Sequence, residues 1–226
     1  MTSKTQVAKP RRARTADQKQ DRRAAILAAA IACTRESGFD GVTMSGLAKR
    51  AGLAKGTLYL YFETREEVFL ALYLEALGAW AARIAEALAP GIDDEAAVEA
   101  LTRVARDDRL FVELASRLAS VIEQNVPLDT LIEAKRNSLP IYMGLAGTLE
   151  DRLGFAPGDG LRFGSAMVAQ LLGAAQIDTG DLATRDALPE DIRGIVAVSR
   201  FETVFADGLR LLLAGMRRRP RPDAGA

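Results

Sequence analysis

Between Thr43 and Phe62 the chain reads TMSGLAKRAGLAKGTLYLYF, and this stretch constrains the fold more than any other. Thr43 is a good N-cap for a short helical pattern ending near Ala51, Gly52 supplies a turn, and a second pattern runs from Ala54 to Phe62. Leu47, Ala48, Leu53 and Leu58 are the apolar pins that set the angle between the two. The second pattern carries Lys55, Thr57, Tyr59 and Tyr61 and no acidic residue. This is the layout of a helix-turn-helix, in which one helix braces across the DNA backbone and the other is presented to the major groove.

The charges agree. Residues 1–62 hold twelve Lys and Arg against four Asp and Glu, a net of +8, and residues 63–226 hold eighteen against twenty-six, a net of −8. A basic N-terminal third on an acidic remainder points to a polyanion-binding module attached to a body that does not bind polyanions. The chain has no histidine and a single cysteine, Cys33, which removes His–Cys zinc sites, Ser–His triads and His acid–base chemistry. No constellation of carboxylates, Lys or Tyr takes their place, so neither an enzyme, a metal site nor a cofactor is expected. Gly158 to Gly160 followed by Gly164 is a near miss for a dinucleotide loop, without the preceding strand such a loop needs. A lone cysteine also forms no intramolecular disulfide. The longest nearly uncharged stretch, Ala166 to Ile177, is too short to span a bilayer. A soluble cytoplasmic protein with no membrane partner is the expectation.

No run alternates apolar and polar residues over a strand's length, and Gly and Pro fall mostly between periodic segments, so the fold class is all-α. Residues 1–14 form a polar, basic arm with Arg11, Arg12 and Arg14. An amphipathic helix follows to about Ser37, with Ile26, Leu27, Ala30, Cys33 and Thr34 on one face and Gly38 as its stop. Thr64 with Glu67 makes a capping box that opens a long helix to Leu88, ahead of Pro90 and Gly91. At ~1.5 Å per residue it spans about 37 Å, enough to link a head to a separate body. Further helical patterns lie near Glu95–Arg106, Arg109–Asn125, Leu128–Leu153, Gly160–Ile177 and Val198–Met216, with Pro140 kinking or splitting the third of these. The last two carry the smoothest apolar stripes, Leu161, Val168 and Leu172 on one, Phe201, Phe205 and Leu209 on the other. With Gly160, Gly164 and Gly208 permitting close approach, they fit either an interface between two copies or ordinary core. The domain division is then an arm over 1–14, a helix-turn-helix domain over 15–63, a helical ligand-binding and dimerisation domain over 64–218 and a tail over 219–226.

The N-terminal residues resemble the tetracycline-repressor (TetR) family of bacterial regulators. The likeness runs through Ile26–Leu27, Ala29–Ala30, Gly38–Phe39, Thr43, Leu47–Ala48, Ala51–Gly52, Lys55 to Tyr59, Tyr61–Phe62 and Glu66–Glu67, about fifty residues with the family's spacing. It implies some nine helices: three for the DNA-binding head, a fourth as connector, and the rest a ligand-binding domain that dimerises through its last two. Three positions depart from the family's pattern. Ala54 stands where a capping Ser or Thr is common, Gly46 where an acidic residue would complete a box with Thr43, and Thr34 where a large apolar residue is usual. Together they suggest a softer head.

Carried over by position, the resemblance places Lys55, Gly56 and Thr57 against base edges. Lys55 is the best direct reader, since Lys donates readily to guanine. Leu60 offers an apolar contact such as to a thymine methyl. Tyr59 and Tyr61 donate to phosphates, or Tyr59 is core; Thr43 and Ser45 stand at a helix N-terminus, and Arg65 is a further phosphate candidate. The arginine arm fits either an adjacent minor groove or a solvated tail. One head makes few base contacts, so a homodimer on a palindromic double-stranded operator is expected. In the body, Trp80, Phe111, Tyr142, Met143 and Met167, with Gln170 or Gln176 as polar anchor, are the large adaptable side chains for a small, apolar effector, or simply core. The overall expectation is a ligand-responsive transcriptional repressor. The alternative is a helical DNA-binding protein without an effector, architectural or partner-recruiting.

Overall fold

The structure, a computed structural model, describes residues 11–178 and 188–219, the side chains of residues 11–17 and 195 excepted. The expected arm thus lies mostly, and the tail beyond residue 219 wholly, outside the described residues. All described regular structure is helical: α1 (Arg11–Gly41), α2 (Met44–Arg50), α3 (Lys55–Tyr59), α4 (Arg65–Ala87), α5 (Asp94–Asp107), α6 (Arg109–Arg117), α7 (Leu128–Leu153), α8 (Asp159–Ile177), α9 (Glu190–Val198) and α10 (Phe201–Arg218). The chain divides into two compact units at Leu72–Tyr73, inside α4.

In the first unit α1 begins at Arg11, so Arg11, Arg12 and Arg14 stand in its first turns rather than in an irregular arm. From Arg11 to Ala30 the chain is mostly Ala, Arg, Gln and Lys, which favour helix, and nothing there stops it before Gly38, whose φ of 70° breaks the helical geometry. Ile26, Leu27 and Ala30 are buried and Cys33 half-buried. They pack with Phe39, Val42, Leu47, Ala48, Leu58, Phe62, Val68 and Phe69 as the core of the head. The Phe39 and Phe69 rings stack at 4.1 Å. Thr34 is buried in this unit and its Oγ1 has no hydrogen-bond partner among the described residues.

In the second unit α8 packs on both α7 and α10, and α10 on α5. Phe163, Met167, Leu171 and Ala174 of α8 are buried, as are Leu145, Leu149 and Leu153 of α7 and Val98, Leu101 and Val104 of α5. α4 is by length and apolarity able to cross a membrane. Its apolar residues are accounted for by packing: Val68 to Leu72 are buried in the head and Leu77, Trp80 and Ile84 in the second unit.

Three segments differ from the sequence expectation. The helix expected over Arg109–Asn125 is α only to Arg117, then turns through a π segment (Leu118–Ile122) and a 3-10 turn (Glu123–Asn125). There the Gln124 and Asn125 amides donate to the carbonyls of Ala119 and Val121, drawing the backbone off its regular ladder. Pro140 does not split α7, which runs unbroken from Leu128 to Leu153. Pro140 is exposed, so the carbonyl that loses its partner can face water. α9 was not expected. It is only nine residues long and contains Gly194, but Glu190 and Asp191 in its first turn suit a helix N-terminus. α10 accordingly starts at Phe201, whose backbone N–H donates to Asp178 Oδ1 at 3.1 Å.

The small residues of α8 and α10 serve packing within the chain. A Cβ at Gly160 would collide with the backbone carbonyl of Ala146 on α7, and one at Gly208 with the Gln170 side chain of α8. Glu150 of α7 accepts from the N–H groups of Gly158 and Gly160 at 2.7 and 3.0 Å, closing the same joint. Gly160→Ala is expected to lower stability by about 1–3 kcal/mol, because a backbone atom cannot step aside as a side-chain end can; urea denaturation measures it. Thr34→Val, which removes an unpaired buried hydroxyl at nearly constant volume, is expected to stabilise by about 1 kcal/mol, read as a rise in Tm.

Candidate nucleic-acid interface and effector region

Thr43 adopts an extended φ/ψ of −125°/153° and its Oγ1 accepts from Gly46 N–H at 3.1 Å, so it caps α2 as expected. Leu47 and Ala48 face inward, and Ser45, Lys49 and Arg50 face out. Gly52, with φ 67°, makes the turn that a Cβ-bearing residue would resist. α3 is shorter than expected, ending at Tyr59. Leu60, Tyr61 and Phe62 close it with tightened bonds to Thr57 and Leu58 carbonyls. Leu58 and Phe62 anchor this element in the core.

What α3 turns outward is chemically selective. Lys55, Gly56, Tyr59 and Leu60 are exposed, Leu60 by 80 %. Thr57 and Tyr61 are half-buried. Lys55 Nζ lies 5.9 Å over the Tyr59 ring, which steers the ammonium along the outer face. Nothing lies within 4 Å of a Cβ position at Gly56, so its backbone is open to close approach. An exposed leucine flanked by an ammonium and a phenol has no task inside the protomer and suits a surface of base edges, methyls and phosphates. Tyr59, left open between phosphate and core, is 43 % exposed.

Arg65 is placed differently from the phosphate role expected of it. Its Nη1 donates to the carbonyls of Asp40 and Val42 at 3.3 and 3.2 Å, its Nε to Glu66 at 2.9 Å, and its guanidinium sits 5.6 Å over Phe39. It clamps the α1–α2 loop to the start of α4. The capping box forms: Thr64 Oγ1 accepts from Glu67 N–H at 3.1 Å, and Glu67 Oε2 accepts from Glu63 N–H at 2.6 Å. Arg23, which sequence reading passed over, lies 5.7 Å over the Phe62 ring.

In the second unit Trp80 and Phe111, each 1 % exposed, stack at 4.5 Å, and Tyr73 stacks on Phe111 at 6.0 Å. The Tyr73 and Tyr142 hydroxyls are 2.8 Å apart. Burial, helped by that bond, pushes the Tyr73 phenol well above its ordinary pKa and keeps it neutral. Met143 is 53 % exposed and Met167 is buried on α8. Gln170 is committed to packing, its Nε2 donating to Val204 O at 2.8 Å. Of the six effector candidates, then, Trp80, Phe111 and Tyr142 come together. A separate cavity of about 400 Å³ is lined by α6, the ends of α5 and α8 and Phe201. Arg106, Arg109, Glu113, Arg117, Gln176 and Asp178 are its polar residues.

Of the interface candidates, Phe201, Phe205 and Leu209 are buried in the protomer's own core, so they cannot face a second copy. Spacing alone identifies an apolar face and not what it packs against. Leu161 is 46 % exposed, Val168 and Leu172 half-exposed, and on α10 the outward residues are Leu211 at 75 % with Val204, Leu212 and Gly215.

A three-helix head that presents a short basic-aromatic helix, joined through α4 to a larger helical unit, defines a DNA-binding regulator of the helix-turn-helix class. Residues 26–72 match the family model described as bacterial regulatory proteins, tetR family, and residues 74–220 that of the tetracyclin repressor-like C-terminal domain. The chain belongs to the TetR family of transcriptional regulators. It is 36 % identical over 69 residues to the fatty acid metabolism regulator protein of Bacillus subtilis, covering 30 % of this chain and 36 % of that protein. It is 28 % identical over 148 residues to the transcriptional repressor BepR of Brucella suis, covering 62 % of this chain and 71 % of BepR. The chain thus spans little more than a third of the first of these relatives. In fold it is similar to Thermus thermophilus FadR, a TetR family repressor solved with lauroyl-CoA (TM-score 0.58, 22 % identity, 90 % of this chain and 100 % of that one). A TetR regulator from Rhodococcus sp. RHA1 is equally similar (TM-score 0.57, 22 % identity, 86 % and 96 %).

α3 begins without a side-chain cap, since Ala54 offers no oxygen. Ala54→Ser is expected to stabilise the head by about 1 kcal/mol, visible as a rise in its thermal midpoint.

Proposed function

We propose that this protein is a cytoplasmic, homodimeric repressor that binds a palindromic DNA operator and is released by a small-molecule effector held in its second unit. The observation that carries the DNA-binding part is the outward face of α3, where Lys55, Gly56, Tyr59 and the 80 %-exposed Leu60 have no intramolecular task. Lys55 reads guanine, Leu60 meets a thymine methyl, and Tyr59, Tyr61 and Ser45 hold phosphates. Thr43 acts mainly as the cap that aims α2, and Arg65 as the clamp that aims α4. The partner copy packs on the outer stripes of α8 and α10, Leu161, Val168 and Leu172 against Leu211, Leu212 and Val204. Effector binding shifts α4, the helix common to both units, and so the half-site spacing that the two heads can span. A second unit matching the family's C-terminal domain favours this over an effector-free architectural role.

Footprinting on the DNA flanking the protein's own gene is expected to reveal one protected palindrome whose half-sites lie about 10 bp, or a multiple of it, apart. Lys55→Ala is expected to relax base preference at one position per half-site, costing about 1–3 kcal/mol on the cognate site and little on random DNA. Tyr61→Phe weakens all sites alike. Uniform weakening by both variants would remove the base-reading role from Lys55, and a monomer at micromolar concentration in sedimentation would remove the dimer.

A further inference from the structure

Tyr73 and Trp80 sit seven residues apart on α4, two turns along one face, about 10.5 Å in helix rise. Phe111 of α6 lies near-parallel to both, 6.0 Å from the Tyr73 ring and 4.5 Å from the Trp80 ring, as a ring slotted between them would. Against this slot the Trp80 indole N–H is buried and has no partner among the described residues, although buried donors are nearly always paired. The Tyr73–Tyr142 hydroxyl pair adds a second polar group to the same cluster. The helix that supplies Phe111 is built to move. α6 has nine residues, is pinned at its start by the Arg83–Asp108 ion pair and gives way at its end to the π segment. Its other face, through Arg109, Val112 and Ser116, borders the 400 Å³ cavity and so has space to swing into.

We propose that the slot between Tyr73 and Trp80 is the effector seat, that Phe111 fills it in the unliganded protein, and that the effector is a flat, uncharged aromatic molecule carrying a hydrogen-bond acceptor. The acceptor takes the indole N–H, the ring replaces that of Phe111, and α6 moves outward. This rests on the effector-responsive reading above and names the chemistry of its ligand.

Quinoline and naphthalene have the same shape and differ in one acceptor nitrogen, so they isolate the indole bond. Trp80 is the chain's one tryptophan, so its emission reports on the slot alone. In the full-length protein, quinoline is expected to quench Trp80, and Phe111→Ala to tighten quinoline binding at least tenfold by emptying the seat. By calorimetry, the affinity ratio of quinoline to naphthalene is expected to fall about tenfold in Trp80→Phe, the worth of one buried hydrogen bond. Helical content checks that Phe111→Ala is folded; if it is not, Phe111→Leu is used, with a smaller gain expected. An unchanged ratio in Trp80→Phe, or affinity no better once the Phe111 ring is trimmed, would overturn the proposal. DNA binding by the unliganded protein, measured without probe, tests the regulator reading separately, so the two fail independently.

Discussion

A helix of five residues has no stability of its own, because nucleation consumes more order than its few hydrogen bonds return. α3 therefore depends on what grips its ends, and the grip lies at the start of α4. Thr64 and Glu67 cap each other's turn, and the Glu67 carboxylate, nearly buried, accepts the N–H of Glu63 where the chain leaves α3. One residue on, Arg65 reaches across to the carbonyls of Asp40 and Val42, closing the loop that leads into α2. Exit of α3, entry of α2 and start of α4 are thus tied by a single turn of helix, with Phe39 and Phe69 stacked beneath. A charged group held this way does more for orientation than for stability, since its desolvation offsets much of its attraction. For a protein that reads base edges, orientation is the relevant quantity.

The second unit is organised by close backbone approach rather than by large side chains. Gly160 sets α8 on the Ala146 carbonyl and Gly208 sets α10 under Gln170, so three helices meet nearer than bulky residues would allow. This arrangement turns Phe201, Phe205 and Leu209 inward and leaves a flatter, small-residue surface outside. Stripes of Leu, Val and Gly suit a partner with the same stripes, as in a two-fold interface where one patch faces its own copy.

How much of this was legible in the sequence depended on whether a signal was local. Thr43, Gly52 and the Thr64–Glu67 box are local signals, and each sits where the sequence put it. Cap geometry needs no knowledge of the rest of the chain. The π segment at Leu118–Ile122 was invisible because its composition is that of any helix, and α9 because nine residues around Gly194 give no sustained period. Site residues divided the same way. Lys55 and Leu60 were readable as outward because Leu58 and Phe62 on the same short element had to face in. Arg65 was misassigned because its partners, Asp40 and Val42, lie more than twenty residues away. Phe201 and Phe205 were misassigned for an equally non-local reason, since three-and-four spacing marks an apolar face without saying whose core it joins.

Two polar atoms buried without partners show how context separates cost from use. Thr34 Oγ1 and Trp80 Nε1 share the same status, each out of water and unpaired. Thr34 lies on α1 among Ile31, Ala30 and the aliphatic core of the head, with no short helix beside it to yield, so its hydroxyl can only weaken the domain. Trp80 lies against a ring borne on a two-turn helix that ends in irregular backbone and borders empty space. There an unsatisfied donor is a standing preference for any acceptor that can displace Phe111, and the energy lost in the empty state returns when the ligand arrives. A buried unpaired group becomes a binding determinant only when a neighbour can move, and in this chain that condition is met beside α6.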